Sequence, residues 1–175
     1  YFGMPVNLPF RVDPQVVIFD NIIGEYGADI QPRIGIYASQ IFEPVIQNNT
    51  INYYRNSPVT LPHSFGIWTQ NCNSPFISSN TIRESQNSYP GYGANLIGIR
   101  SDRNLNPCIG NVNTIENLGY GVSFWDNNGQ VGLSTNKFIN CDHGVHLDWA
   151  EIGAQGNPDR TDDNEWTDRN INPIL

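Results

Sequence analysis

Tyr37, Trp68, Arg100, Asp102, Trp125, His146 and Asp148 fall at matching steps of one recurring pattern in this chain. Side chains of these types, set on one face, support two kinds of chemistry. Aromatic rings beside hydrogen-bonding groups hold a sugar chain, the rings stacking on apolar sugar faces and the polar groups meeting hydroxyls. Tyr37, Trp68, Arg100 and Trp125 are the candidates for that binding. Two carboxylates facing each other across a gap can act as acid and base on a glycosidic bond, and Asp102, His146 and Asp148 are the candidates for that catalysis. A serine nucleophile is not indicated, because no serine sits in a G-x-S-x-G elbow.

What would place these residues together is a glycine-led strand. Gly35-Ile36, Gly66-Ile67, Gly98-Ile99, Gly121-Val122 and Gly144-Val145 each open an alternating run. Side chains alternate along a strand, so the apolar residue after each glycine points inward and the next points outward. Lining up the runs gives one outward column of Tyr37, Trp68, Arg100, Ser123 and His146, and beside it a second of Ser39, Gln70, Asp102, Trp125 and Asp148. Neighbouring strands lie about 4.8 Å apart, which puts the backbones of Asp102 and Asp148 about 9.6 Å from each other. His146 and Asp148 share a face, whereas His143 is expected in the preceding turn.

A second phrase runs in step with the first. Val17-Ile18-Phe19-Asp20-Asn21-Ile22-Ile23 returns as Val45 to Ile51 and Phe76 to Ile82, loosens by one residue at Ile109 to Ile115, and continues through Asn136 and Asn164. Asn21, Asn49, Asn80, Asn113, Asn136 and Asn164 are 28, 31, 33, 23 and 28 residues apart. The glycines lead their asparagines by 14 or 15 residues, except the last, which leads by 20. Periods of this size mark a solenoid. Three short strands per period, rich in Ile, Val, Thr and aromatics and lacking a 3.6-residue rhythm, predict an all-β fold: a right-handed parallel β-helix of about six coils. An asparagine at a fixed corner suits a left-handed bend, and stacked coils would join such amides into an internal ladder.

Residues 1–16, with three prolines, read as the tail of a preceding coil, and 17–175 as the β-helix domain. Further domains of a longer chain are expected as partners. Two coils carry long excursions, Asn52 to Phe65 and Arg83 to Ile97, where later coils have only Glu116 to Tyr120 and Asn140 to His143. Insertions gathered at one corner often border a binding face. Cys72, Cys108 and Cys141 fall at different phases and read as small core residues, with no metal site. The Asp148 to Asp163 loop, rich in Asp with Gly, is the one place where a calcium ion could bind.

The chain has 175 residues, 24 of them Asn, with net charge -8 and one lysine, Lys137. No basic stripe exists to meet phosphates, and no apolar run is long enough to span a bilayer, so neither nucleic acid nor membrane insertion is expected.

In its Gly-[Ile/Val] and Asn-x-[Ile/Phe] phrases, from residue 17 to about 170, the sequence resembles the right-handed parallel β-helix superfamily with the pectin-lyase-like fold. Members include polysaccharide lyases, glycoside hydrolases, phage tailspikes and segments of large surface-displayed bacterial proteins. The polygalacturonase-type hydrolases order an Asn-Thr-Asp, a paired Asp, a Gly-His-Gly and an Arg-x-Lys along successive coils. Here Asp142-His143-Gly144 matches only the histidine element, and Asp162-Asp163 comes after it rather than before. Lyases of this fold use a basic residue, for which Arg100 is the substitute on the strip. The resemblance implies a secreted or cell-surface module, structural (a stalk or adhesin segment) or binding a polysaccharide or other surface glycan; the alternative is a lyase or glycoside hydrolase.

Overall fold

The structure is a computed structural model that describes residues 16–24, 33–53, 63–84, 95–152 and 164–167. Within them are sixteen strands and no α-helix. Sheet A stacks β1 (Val17–Phe19), β4 (Val45–Gln47), β7 (Phe76–Ser78), β10 (Cys108–Gly110) and β13 (Gly132–Leu133). Sheet B stacks β2 (Ile22–Ile23), β5 (Thr50–Tyr53), β8 (Thr81–Glu84), β11 (Thr114–Glu116), β14 (Lys137–Ile139) and β16 (Glu165–Thr167). Sheet C stacks β3 (Ile34–Ser39), β6 (Ser64–Gln70), β9 (Leu96–Asp102), β12 (Tyr120–Trp125) and β15 (His143–Asp148). Every pairing is parallel and joins a strand to its counterpart one coil away. The expected parallel β-helix is therefore present, with six levels in sheet B.

The core consists of apolar stacks, one per sheet, aliphatic except where sheet B ends in Phe138 and the 55% exposed Trp166. Ile18, Ile46, Ile77, Ile109 and Leu133 line up in sheet A, and Ile23, Ile51, Ile82, Ile115, Phe138 and Trp166 in sheet B. Ile36, Ile67, Ile99, Val122 and Val145 line up in sheet C. β-Branched side chains suit this role because their restricted χ1 packs well on a pleated surface. The central isoleucines of all three stacks are fully buried, and each such burial is worth about 1.5–3 kcal/mol.

The asparagine ladder closes without a missing rung. Asn21 donates Nδ2 to Oδ1 of Asn49 at 2.9 Å, Asn49 to Asn80 at 3.0 Å and Asn80 to Asn113 at 3.0 Å. Asn113 donates to Asn136 at 2.9 Å, and Asn136 to Asn164 at 3.1 Å. The same Oδ1 usually also accepts the backbone N–H of the preceding rung, as Asn80 does from Asn49 at 2.9 Å. Each Nδ2 further donates to a carbonyl such as Ile46 O, 2.9 Å from Asn80. The ladder asparagines do not themselves take the left-handed bend. That conformation belongs to the residue before each rung from Asn21 to Asn136: Asp20, Asn48, Ser79, Val112 and Thr135. The extra residue at Asn113 makes its corner a double one, with Asn111 and Val112 both left-handed.

The glycine and asparagine phrases keep phase because the glycine backbone lies against the isoleucine side chain that follows the asparagine. A Cβ on Gly66 would stand 2.5 Å from Gly98 O and 2.6 Å from Cγ2 of Ile82, two residues past the ladder rung of the same coil. Gly98 meets Gly121 O and Ile115 in the same way. The strand bends where the backbone comes this close. At the bend Gly66 and Ile67 are both buried, while the rings of Phe65 and Trp68 meet at 5.1 Å.

Two further amide stacks were not anticipated. Asn104 Oδ1 accepts from Cys72 N at 2.8 Å, and Asn128 Oδ1 accepts from Asn104 N at 3.4 Å, so Cys72 occupies a rung of an asparagine-type corner. At the corner after sheet B, Asn140 donates to Asn117 at 3.1 Å and Asn117 to Glu84 O at 3.1 Å. Cys141 lies beside that corner with its thiol 3.5 Å from Ile115 O, and burial pushes the thiol pKa up to about 11.

Two stability changes follow. Asn80→Ala leaves buried partners on both sides unpaired and should cost about 1–3 kcal/mol by chemical denaturation; an unchanged midpoint would contradict the ladder's role. Val112→Asn, at a half-exposed position with φ of 64°, relieves a β-branched residue of a conformation that costs about 1–2 kcal/mol. Its midpoint should rise.

Candidate functional site: the outer face of sheet C

The register of sheet C sets the two expected columns side by side. Tyr37 pairs with Trp68, Trp68 with Arg100, Arg100 with Ser123 and Ser123 with His146. Ser39, Gln70, Asp102, Trp125 and Asp148 pair in the same order. The bend at each glycine adds a third column that simple alternation misses: Ile34, Phe65, Ile97, Tyr120 and His143. His143 is thus the first residue of β15, not part of a turn, and Tyr120 likewise opens β12.

One half of the strip is tied together. Asp102 is 1% exposed, with Oδ1 taking Nε of Arg100 at 2.8 Å and Oδ2 taking Nε1 of Trp68 at 2.9 Å. The Arg100 guanidinium lies 5.3 Å from the ring centre of Phe65, 5.7 Å from Trp68 and 5.5 Å from Trp125. Cation–π contacts of this kind contribute about 0.5–2 kcal/mol each. Arg103 lies 5.6 Å from the Trp125 ring. Burial raises the Asp102 carboxyl above its usual range, while the bond and charge of Arg100, the Trp68 bond and Arg103 pull the other way. At the near end Tyr37, 49% exposed, packs on Trp68 at 4.9 Å and donates its hydroxyl to Gln70 Oε1 at 2.7 Å.

The other half is looser. Tyr120 stacks on His143 at 5.2 Å and tilts over His146 at 4.8 Å, and the two imidazoles are 6.3 Å apart. Ser123 Oγ lies 3.4 Å from His146 Nδ1. Asp148 closes the strip, two strands from Asp102 with Trp125 between them. Next comes Trp149, 93% exposed and left-handed at φ 54°. It stands at the corner position that Gln40, Asn71, Arg103 and Asp126 hold in earlier coils, all left-handed and each donating its N–H to a carbonyl of the following strand where that strand is described. Between Arg103, Leu105, Asp126, Asn127 and Gly129 this corner forms an open depression of about 340 Å³.

Sequence reasoning missed Phe65, Tyr120 and Trp149. The first two were masked by the glycine bend; a Trp directly after a strand ending in Asp was the available signal for the third. The excursions are shorter than expected, since Asn52, Tyr53, Ser64, Phe65, Arg83, Glu84, Leu96 and Ile97 belong to strands. Their central residues, the calcium-type residues 153–163 and most of the proposed tail at 1–16 lie outside the described residues. Among the described residues, no three His, Cys, Asp or Glu side chains gather in a metal-holding group, and no helix is long and apolar enough to cross a membrane. Lys137 is on sheet B, away from the strip, 3.2 Å from Glu165.

Residues 12–154 match the family described as the right handed beta helix region, so the chain belongs to that family. No curated protein and no solved structure matches it.

The Asp102 carboxyl yields a pH signature. A carboxyl whose folded pKa is raised costs the folded state stability above that pKa, and the cost fades as pH falls towards the unfolded-chain value. Asp102→Asn has no such titration. Its stability relative to wild type should therefore improve as pH rises from about 4 to about 7. Urea midpoints for both proteins across that window would show it, and a difference that does not change with pH would count against the raised pKa.

Proposed function

We propose that this β-helix is a secreted or surface-displayed module, a rigid stalk or adhesin segment, whose outer sheet C face holds an extended glycan. The observation that carries the reading is the in-register strip together with Trp149 at the corner that follows it. A tryptophan left 93% exposed in a left-handed conformation is disfavoured twice over, by backbone sterics and by contact with water, and a sugar stacking on its ring would offset the second cost. Tyr37 offers a second exposed ring at the far end of the strip, with His143, His146 and Asp148 between as partners for hydroxyls. The net charge of -8 supports a neutral or hydroxyl-rich partner over a polyanion. Because each coil contacts only its neighbours, the solenoid also suits a spacer.

Polysaccharide cleavage is a second reading. What favours it is the pair Asp102 and Asp148 flanking Trp125, with the Asp102 carboxyl raised as an acid would need; what opposes it is the engagement of both Asp102 oxygens.

Retention on a broad panel of immobilised neutral and acidic glycans tests both. Trp149→Ala and Tyr37→Ala should each weaken retention by about 0.5–1.5 kcal/mol, the worth of an aromatic contact. Release of reducing ends or unsaturated sugars, lost in Asp148→Asn, would move the assignment to an enzyme. A wild-type protein that neither binds nor cleaves any member of the panel would leave only the spacer role.

A further inference from the structure

The first outward column is built of large side chains, Tyr37, Trp68, Arg100 and His146, with a single small one, Ser123. Ser123 is therefore the floor of a notch. Arg100 stands on one side and His146 on the other, each about 4.8 Å away along the ladder. Its hydroxyl is 3.4 Å from Nδ1 of His146, and the ring of Tyr120, 4.8 Å from that imidazole, holds it in place. A hydroxyl between a base and a guanidinium has the parts of an acyl-transfer site: nucleophile, base, and a cation for the developing oxyanion.

We propose that Ser123 is a nucleophile served by His146, in a site that accepts carboxylic esters, its reaction read separately from glycan retention by the strip to which His146 also belongs. Oγ attacks the ester carbonyl while His146 Nδ1 takes the hydroxyl proton. The tetrahedral oxyanion faces Arg100, whose terminal nitrogens make no hydrogen bond with the described residues. The C–O bond to the leaving alcohol breaks, and that alcohol leaves with the proton from His146. Water then attacks the acyl-serine, giving its proton to His146, and Oγ recovers it as the carboxylic acid departs. Ser123 is 3% exposed, so the acyl group must be slim enough to enter between Arg100 and His146, which points to short acyl esters such as acetyl.

The test is covalent labelling with a fluorophosphonate probe, whose P–F bond breaks as Oγ–P forms, together with hydrolysis of p-nitrophenyl acetate. Labelling should map to Ser123 alone, and Ser123→Ala and His146→Gln should each slow both reactions by about 100-fold, the worth of general base catalysis. Arg100 is bound up with Asp102 and three rings, so its own replacement could act through folding; the nearly isosteric Ser123→Cys avoids that ambiguity. Its thiol should be alkylated by iodoacetamide in the folded protein, and about tenfold more slowly once His146→Gln is added. Labelling is read on the wild-type protein whether or not it is retained on the glycan panel, so that loss of the glycan reading and loss of this one are told apart. Labelling at another residue or at none would overturn the proposal. So would wild-type hydrolysis by Ser123→Ala, or a Ser123→Cys thiol that reacts only after unfolding.

Discussion

Everything in this fold depends on one amide per coil. Between the first and last rungs, the Oδ1 of each ladder asparagine accepts from the coil before, while its Nδ2 donates to carbonyls nearby and to the coil after. No other side chain has this inventory at this length: one carbonyl with two lone pairs and two N–H groups. Because the corner is buried, a rung that failed would leave several polar groups without water or partner. The corner therefore has the same height and the same residue in every coil, and the register of all three sheets follows from it.

The outer face inherits that register. Gly66 and Gly98 press their backbones against isoleucines two places past the rung, so the start of each sheet C strand is fixed relative to the corner. Strands fixed in height and phase place Tyr37 against Trp68 and Ser123 against His146, whatever the lengths of the connecting segments. The excursions between sheets B and C differ widely from coil to coil, yet the columns do not slip. Loop length changes closure entropy only slowly, whereas a one-residue slip would turn the inner face outward.

Fold and phase were legible in the sequence because two independent signals agreed. The asparagine spacing gave the coil, and the glycine-led alternation gave the face. The two outward columns were read correctly for the same reason. Three features were not legible. Alternation assumes a straight strand, and the bend at each glycine put Phe65, Tyr120 and His143 on the face unannounced. The Asn104 and Asn128 stack was hidden because its third rung is Cys72, which offers a thiol and a backbone N–H instead of an amide. The pairing of Asp102 with Arg100 and Trp68 depends on rotamers chosen among several neighbours, and spacing carries no record of that choice. The left-handed residue was expected at the rung itself and lies one position earlier, where Asp20, Asn48, Ser79, Val112 and Thr135 differ too much in type to form a motif.

The ladder also has a direction. Every amide-to-amide bond runs the same way, from the earlier coil to the later, from Asn21 through to Asn164, while a hydrogen of each later rung's Nδ2 goes back to a carbonyl of the earlier coil. Severed between any two rungs, the stack yields one face with an unmet amide donor and a facing one with an unmet amide acceptor, and this pair of complementary faces is the same wherever the break falls. A gene that duplicated or dropped one whole period would therefore rejoin matching halves. Lineages can lengthen or shorten such a rod coil by coil while the residues on its outer face diverge.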